Sequence, residues 1–382
     1  MHLDVGRHFY PKEDIKKFID YLALHKFNRF HWHLTEDQGW RIEIKKYPKL
    51  TEVGAWRKET VVGTARKEQS LISYDGKKYG GYYTQEEIKE VVAYAQKKKI
   101  TIIPEIEFPG HMVAALTSYP HLACTSGPFD VRTTWGVSKD VLCPNDSSLA
   151  FAQNVLKEVM ELFPSEYIHI GGDECPKDRW KECAECQKMI KDKKLKDENG
   201  LQAYFIHQLE AYLNANGRKL IGWDEITEGG LSKTSTVMYW RSWGAMKELP
   251  LEIAKHGNNI IMTPVSNCYF DYYQSQKPGE PLAWGGDLPV EKVYNFEPVP
   301  QGFTPELVPK IIGTQANIWT EYMPTFEQVE YMSLPRMSAL SEVAWSEKRN
   351  KNYSDFVSRM KLHFQRLDFM GANYARHLLT EK

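Results

Sequence analysis

Along this chain, short apolar runs alternate with stretches in which apolar residues return every three or four positions. The runs near residues 2–6, 29–34, 100–106, 167–171, 219–223, 235–240, 258–263 and 311–318 read as strands. The stretches between them read as helices. Ile15, Phe18, Ile19 and Leu22 recur at i, i+3, i+4 and i+7, the spacing of one apolar helix face. Thr84 with Glu87 forms a capping box ahead of Ile88, Val91, Val92 and Ala95. Residues 201–215 form another helical stretch, ended by Gly217 just before a strand. Strands alternating with helices predict a parallel sheet with helical crossovers, an α/β fold. Eight strands are the number that closes a (β/α)8 (TIM) barrel. No linker rich in Pro, Gly or Ser divides the chain, so residues 1–382 read as one domain. Two longer insertions, near 107–147 and 264–310, are rich in Gly, Pro and aromatics and are expected to be βα loops around a site.

A barrel places its chemistry at the C-terminal ends of its strands. Polar and aromatic residues do fall there: Arg7, Glu36 and Asp37, Glu105 to His111, Asp173 and Glu174, Trp223 to Glu225, Trp240, and Trp319 to Glu321. The strongest feature is His169-Ile170-Gly171-Gly172-Asp173-Glu174, which ends the fourth strand. Close carboxylates raise each other's pKa, which favours keeping one of them protonated near neutrality. A protonated carboxyl is what glycoside cleavage needs for its leaving group. The two glycines let a bulky ligand approach the backbone. Ordinary retaining glycosidases set two carboxyls about 5 Å apart across the scissile bond. Neighbours in sequence are poorly placed for that, and suit a scheme in which one is the acid and the other steadies a nearby substrate group. The plainer alternative is a solvated acidic loop.

Composition narrows the field. Hydrophobic residues make up 42% of the 382, enough for a substantial core. The net charge of −1 argues for neither nucleic acid nor an anionic membrane as partner. No apolar run reaches the ~18 residues of a membrane span. Aromatics at 13% hint at stacking surfaces such as sugars use, although most rings in a core only fill it. Six Cys in so long a chain are not a disulfide framework. Cys183-x-x-Cys186 resembles half of a zinc site or a redox pair, without a second CxxC. Cys175 nearby leaves a local disulfide or a three-Cys cluster open beside free thiols.

The motifs together resemble the catalytic domain of glycoside hydrolase family twenty over nearly the whole chain. They are Leu3-Asp4-Val5-Gly6-Arg7-His8-Phe9, His31 to Arg41, His169 to Glu174, Gly222-Trp223-Asp224-Glu225, Trp240, Tyr269-Phe270-Asp271, and Gln315 to Glu321, in that order. The resemblance implies a retaining exo-β-N-acetylhexosaminidase without an enzyme nucleophile, in which the sugar's own acetamido oxygen attacks. It makes Glu174 the general acid and then the base, and Asp173 the acceptor of the acetamido N–H. It assigns Tyr269 to holding the acetamido oxygen, and Trp223, Trp240 and Trp319 to a box around the acetamido methyl and the sugar ring. Arg7 is then expected on the 3- and 4-hydroxyls, and Asp271 and Glu321 on the 4- and 6-hydroxyls. His111 resembles the family's histidine near the acid, with a carboxylate after the second strand as partner. The family often has two Asp there; this chain has Glu36-Asp37, so Glu36 is expected to make the same bond with shifted geometry.

The resemblance implies a carbohydrate partner ending in an N-acetylhexosamine, with no cofactor and no metal in the reaction. Family members usually carry an α/β domain ahead of the barrel and often an export signal. This chain is expected to be the barrel alone, with its location and oligomeric state left open. Three other readings remain. A metal-dependent hydrolase would use His31-x-His33 as ligands, but the later strand ends offer Trp and Glu rather than more His. A binding barrel that has lost catalysis would lack one of the two carboxylates. A disaccharide-releasing (lacto-N-biosidase-like) relative would need a deeper pocket. A chitinase-like reading lacks its D-x-x-D-x-D-x-E pattern.

Overall fold

The computed structural model describes residues 1–65 and 71–380. Eight parallel strands form one sheet in chain order: β1 (His2–Asp4), β2 (Arg29–His33), β3 (Thr101–Glu105), β4 (Tyr167–His169), β5 (Lys219–Trp223), β6 (Thr236–Tyr239), β7 (Asn259–Met262) and β8 (Ile311–Thr314). Each lies within a run that the apolar pattern marks. The eighth run extends to residue 318, whereas regular pairing of β8 stops at Thr314. The remainder closes the barrel. His2 N donates to Ala316 O at 2.9 Å and Asp4 N to Ile318 O at 3.0 Å. Residues 315–318 also bond the end of β7 and the segment after it, through Gln315 N to Met262 O and Asn317 N to Cys268 O. The architecture is therefore a (β/α)8 barrel.

The helices form the outer layer. In α1 (Lys12–Leu24), Ile15, Phe18, Ile19 and Leu22 are all buried. α2 (Gln85–Lys97) opens with both halves of the Thr84/Glu87 capping box. α3 (Asp146–Leu162) and α4 (Glu198–Ala215) follow, and Gly217 leaves α4 at φ +70°, a conformation that costs glycine little. Strand alternation sorts the side chains of β2. Phe30 points outward onto Phe18 of α1, at 5.4 Å between ring centroids, while Trp32 meets Tyr83 at 4.8 Å. His31 and His33 point into the barrel.

One excursion is absent from the sequence reading. Between β2 and α2 the chain forms three antiparallel pairs of two residues each, from Thr35–Glu36 with Gly39–Trp40 to Val61–Val62 with Ser73–Tyr74. Strands this short carry no readable period. The excursion is tied to the barrel mouth by the buried Arg41, whose guanidinium donates to the carbonyls of Val5, Gly6 and Ala55 at 2.7–3.0 Å. Among the described residues no helix is long and apolar enough to cross a membrane.

All six cysteines are free thiols. The sequence suggests Cys175 as the companion of Cys183 and Cys186, but the partners are Cys124 and Cys143, from the long loop after β3. Cys175 is buried in the same small core but outside the four-sulfur group, and burial pushes its thiol up to about 11.

Candidate active site

The C-terminal mouth of the barrel holds a cavity of about 200 Å³. Arg7, Asp173, Glu174, Trp223, Trp240, Tyr269, Asp271, Trp319 and Glu321 line it. They come from six of the eight strand ends, which is why no local pattern joins them. His111 and Glu36 stand behind this wall rather than in it.

The floor is set by a buried carboxylate. Glu105, at the end of β3, has His31 Nε2 and His169 Nδ1 each 2.9 Å from its carboxylate oxygens and pairs with His33 Nδ1 as well. Trp223 Nε1 donates to its other face at 2.8 Å. Burial acts to raise Glu105, but the three imidazoles outweigh it and hold the carboxyl well below the carboxylate range. The indole of Trp223 is thereby locked as a wall. Trp319 packs on it at 5.7 Å between centroids, and the Arg7 guanidinium lies 5.0 Å over the Trp319 ring. Opposite, Trp240 and Tyr269 run nearly parallel at 6.0 Å. Trp240 Nε1 donates to Glu225 Oε2 at 3.0 Å. The roles of His31 and His33 are thus accounted for by Glu105.

Behind the wall runs a line of alternating charge. Arg7 pairs with Glu36 at 2.6 Å, and Glu36 with His111 Nδ1 at 2.8 Å. His111 Nε2 then stands 3.6 Å from Glu174 Oε2 and 3.7 Å from Asp173 Oδ2. Asp37 is farther from His111, at 3.8 Å, and is engaged by Arg132 at 3.2 Å and by Val113 N at 3.0 Å. The longer Glu side chain therefore takes the histidine, and Asp37 anchors the loop. Burial raises Glu36, but Arg7 and His111 outweigh it and bring the carboxyl down to about 2. Burial disfavours the His111 cation, yet Glu36 and Glu174 hold its pKa well above that of free histidine.

The two adjacent carboxyls differ sharply. Burial pushes Asp173 up to about 7, against the pull of His111. Burial also pushes Glu174 upward, but the nearby His111 wins and holds it below the ordinary range. Its side chain is 41% exposed, at the cavity lip. The backbone at the pair and at its histidine neighbour is unusual. Glu174 sits at φ +41° and His111 at φ +52°, left-handed conformations that non-glycine residues rarely adopt and that cluster at functional sites. Gly171, at φ +67°, has no room for a Cβ, which would collide with the Glu107 carboxylate.

Several buried polar atoms around the cavity have no protein partner: Asp173 Oδ1, Asp271 Oδ1, Glu321 Oε2 and Arg7 Nε. Buried polar atoms without partners are rare and call for an explanation. Burial, with Glu321 beside it, pushes the Asp271 carboxyl well above its usual value. Burial likewise raises the Tyr269 phenol well above 10, so it remains a donor.

Four lining residues escape sequence reasoning: Trp243, Val265, Tyr272 and Trp284. Tyr272 and Trp284 belong to the 264–310 insertion, whose richness in aromatics was the available signal. Glu107 falls in the strand-end run Glu105 to His111, but no role for it could be read there. It is buried beneath Asp173, and burial together with that charge pushes it well above the carboxylate range.

Comparison with known proteins fits this geometry. The family model for the glycosyl hydrolase family 20 catalytic domain matches residues 1–348. A beta-hexosaminidase of Porphyromonas gingivalis is 49% identical over 97% of this chain and 46% of its own length. One from Vibrio furnissii is 39% identical over 89% of this chain and 55% of its own. The chain thus spans about half the length of these two relatives. Among solved structures, a beta-N-acetylhexosaminidase superposes with a TM-score of 0.88 at 34% identity, over 96% of this chain and 75% of that one. A family 20 exo beta-N-acetylglucosaminidase from Vibrio harveyi, in complex with N-acetylglucosamine, gives 0.85 at 38% identity, over 98% and 58%. The chain belongs to glycosyl hydrolase family 20, and its residues 1–348 are the family's catalytic domain.

Proposed function

We propose that this barrel is a retaining exo-β-N-acetylhexosaminidase that removes one terminal β-linked N-acetylhexosamine by substrate-assisted catalysis. The observation that carries the reading is a small Trp-walled cavity, bordered by partnerless buried oxygens, with the Asp173–Glu174 pair at its edge. The names of the relatives, beta-hexosaminidase and exo beta-N-acetylglucosaminidase, agree with it. At about 200 Å³ the cavity lies below the ~300–1,000 Å³ of typical ligand pockets, which favours one sugar ring over a disaccharide.

The sugar's acetamido carbonyl oxygen attacks the anomeric carbon while Glu174 gives its proton to the departing glycosidic oxygen. Asp173 Oδ1, partnerless and buried, accepts the acetamido N–H and balances the charge of the oxazolinium ion. Tyr269 donates to the acetamido oxygen and keeps it in line, because an amide oxygen is a weak nucleophile that depends on orientation. Glu174 then takes a proton from water, which opens the ring on the face the aglycone left, giving retention. Arg7, Asp271 and Glu321 bind the hydroxyls of the non-reducing end and close the cavity there.

Substrate also moves the proton. In the free enzyme the proton shared by the pair favours Asp173, whose carboxyl is raised to about 7. A bound sugar covers the exposed Glu174 and raises it, since burial disfavours the charged form. The acetamido N–H stabilises the Asp173 anion and lowers it. Binding thereby transfers the proton to the residue that must donate it.

The test is hydrolysis of an aryl β-N-acetylglucosaminide against the matching aryl β-glucoside. Only the acetamido sugar should be cleaved, with release of the free monosaccharide. Cleavage of both at similar rates would remove the acetamido group from the mechanism.

A further inference from the structure

Away from the cavity, the loop after β3 meets the excursion after β4, and four thiols occupy the contact. Cys124, Cys143, Cys183 and Cys186 place their sulfurs within 4.8 Å of one another. Cys186 Sγ lies 3.6 Å from Cys124 Sγ and 3.7 Å from Cys143 Sγ. A disulfide needs about 2.05 Å. Four sulfurs held tetrahedrally about 2.3 Å from a zinc ion stand about 3.8 Å apart; the two Cys186 separations are close to that, and the whole set lies within 4.8 Å.

The backbone builds this arrangement from both sides. An isolated antiparallel bridge, Ala123 with Leu142, brings Cys124 and Cys143 together across the loop. Cys143 N donates to Leu122 O at 2.8 Å. Cys183 is the N-cap of the helix Ala184–Asp192, and Cys186 lies in its first turn. Backbone N–H groups at a helix start favour thiolate. The cluster belongs to a small core separate from the main one, whose buried members are Val141, Cys143, Cys175, Trp180, Cys186 and Leu201. So few apolar side chains are a weak fastening for two long segments, a situation in which small folds use a metal or disulfides.

We propose that Cys124, Cys143, Cys183 and Cys186 form a structural tetrathiolate zinc site. All four positions are taken by protein sulfur, the closed set of a structural rather than a catalytic site. The site staples together the two segments that carry the acid machinery. Leu142 N donates to Pro109 O at 3.0 Å, two residues before His111, and Trp180 Nε1 donates to Leu142 O at 3.0 Å, six residues after Glu174.

The experiment is metal analysis of the full chain, purified without a metal-binding tag. About one zinc per chain is expected. A mercurial thiol reagent should release it to a chromogenic chelator, and Cys143→Ser and Cys186→Ser should lose it. Cys268→Ser, which alters a buried thiol outside the cluster, should keep it. Should the cluster variants fail to fold, cobalt substitution of the unaltered chain decides the matter. Intense sulfur-to-cobalt charge-transfer bands with a tetrahedral ligand-field spectrum support the site. Protein free of zinc after reduction and zinc addition, iron in place of zinc, or disulfides among these four residues by mass spectrometry would overturn it.

Discussion

His111 faces Glu36 across 2.8 Å with one ring nitrogen and Glu174 across 3.6 Å with the other. The histidine is a positioning residue: it transmits the charge of Glu36 to the carboxyl at the cavity lip. Glu36→Gln keeps the shape but removes the charge, so the imidazolium loses its main support and Glu174 loses its fixed partner. A charge-assisted hydrogen bond is worth about 1.5–3 kcal/mol, so kcat/KM should fall on the order of 10–100-fold. Glu36→Asp keeps the charge and should recover most of the loss. Equal kinetics for Glu36→Gln and the unaltered enzyme would mean that His111 needs no counter-ion.

The pair's two titrations bound the working pH. Productive enzyme carries one proton on Asp173 and Glu174 together. Glu174 lies below the usual carboxylate range and Asp173 near 7. Falling pH adds a second proton to the pair once the lower titration is passed; rising pH removes the only proton above about 7. The kcat/KM profile should therefore be flat through the mildly acidic range and fall on its basic side near 7. A profile still level a full unit above that point would show that the pair does not control the basic limb.

Glu174→Gln separates acid catalysis from binding. Aryl glycosides with good leaving groups need little protonation, and unactivated disaccharides need much. The disaccharides should lose about 10²–10⁴-fold in kcat and the activated substrates far less. Uniform loss on both classes would move the acid role to another residue.

Much of this architecture could be read from the chain because barrel strands and helices announce themselves by period. Phe30 and Trp32 alternate with His31 and His33, and the structure turns the two pairs to opposite faces. Residues assigned by motif, from Arg7 to Glu321, gather at one cavity, with Glu36 and His111 behind its wall, because strand ends fix their position whatever the loops do. Trp284 and Tyr272 lie in a long insertion, where tertiary contacts rather than local period decide which ring faces the cavity. The partners of Cys183 and Cys186 were hidden for a related reason. Cys124 and Cys143 meet only through the Ala123–Leu142 bridge, and their spacing follows no motif. The opposite pKa shifts of Asp173 and Glu174 were also beyond reach, since adjacency alone raises both; with His111 almost equally near each, it is the deeper burial of Asp173 against the exposed lip position of Glu174 that separates them.

On this mechanism the substrate's own acetamido oxygen is the nucleophile. That role is tested most directly by a series of aryl β-glycosides whose N-acetyl methyl carries zero, one, two or three fluorines. Each fluorine weakens the carbonyl oxygen as a nucleophile and leaves the leaving group unchanged. With the acetamido oxygen as nucleophile, kcat should fall steeply and progressively along the series. A kcat that stays level across all four substrates would contradict it and place the nucleophile on the enzyme.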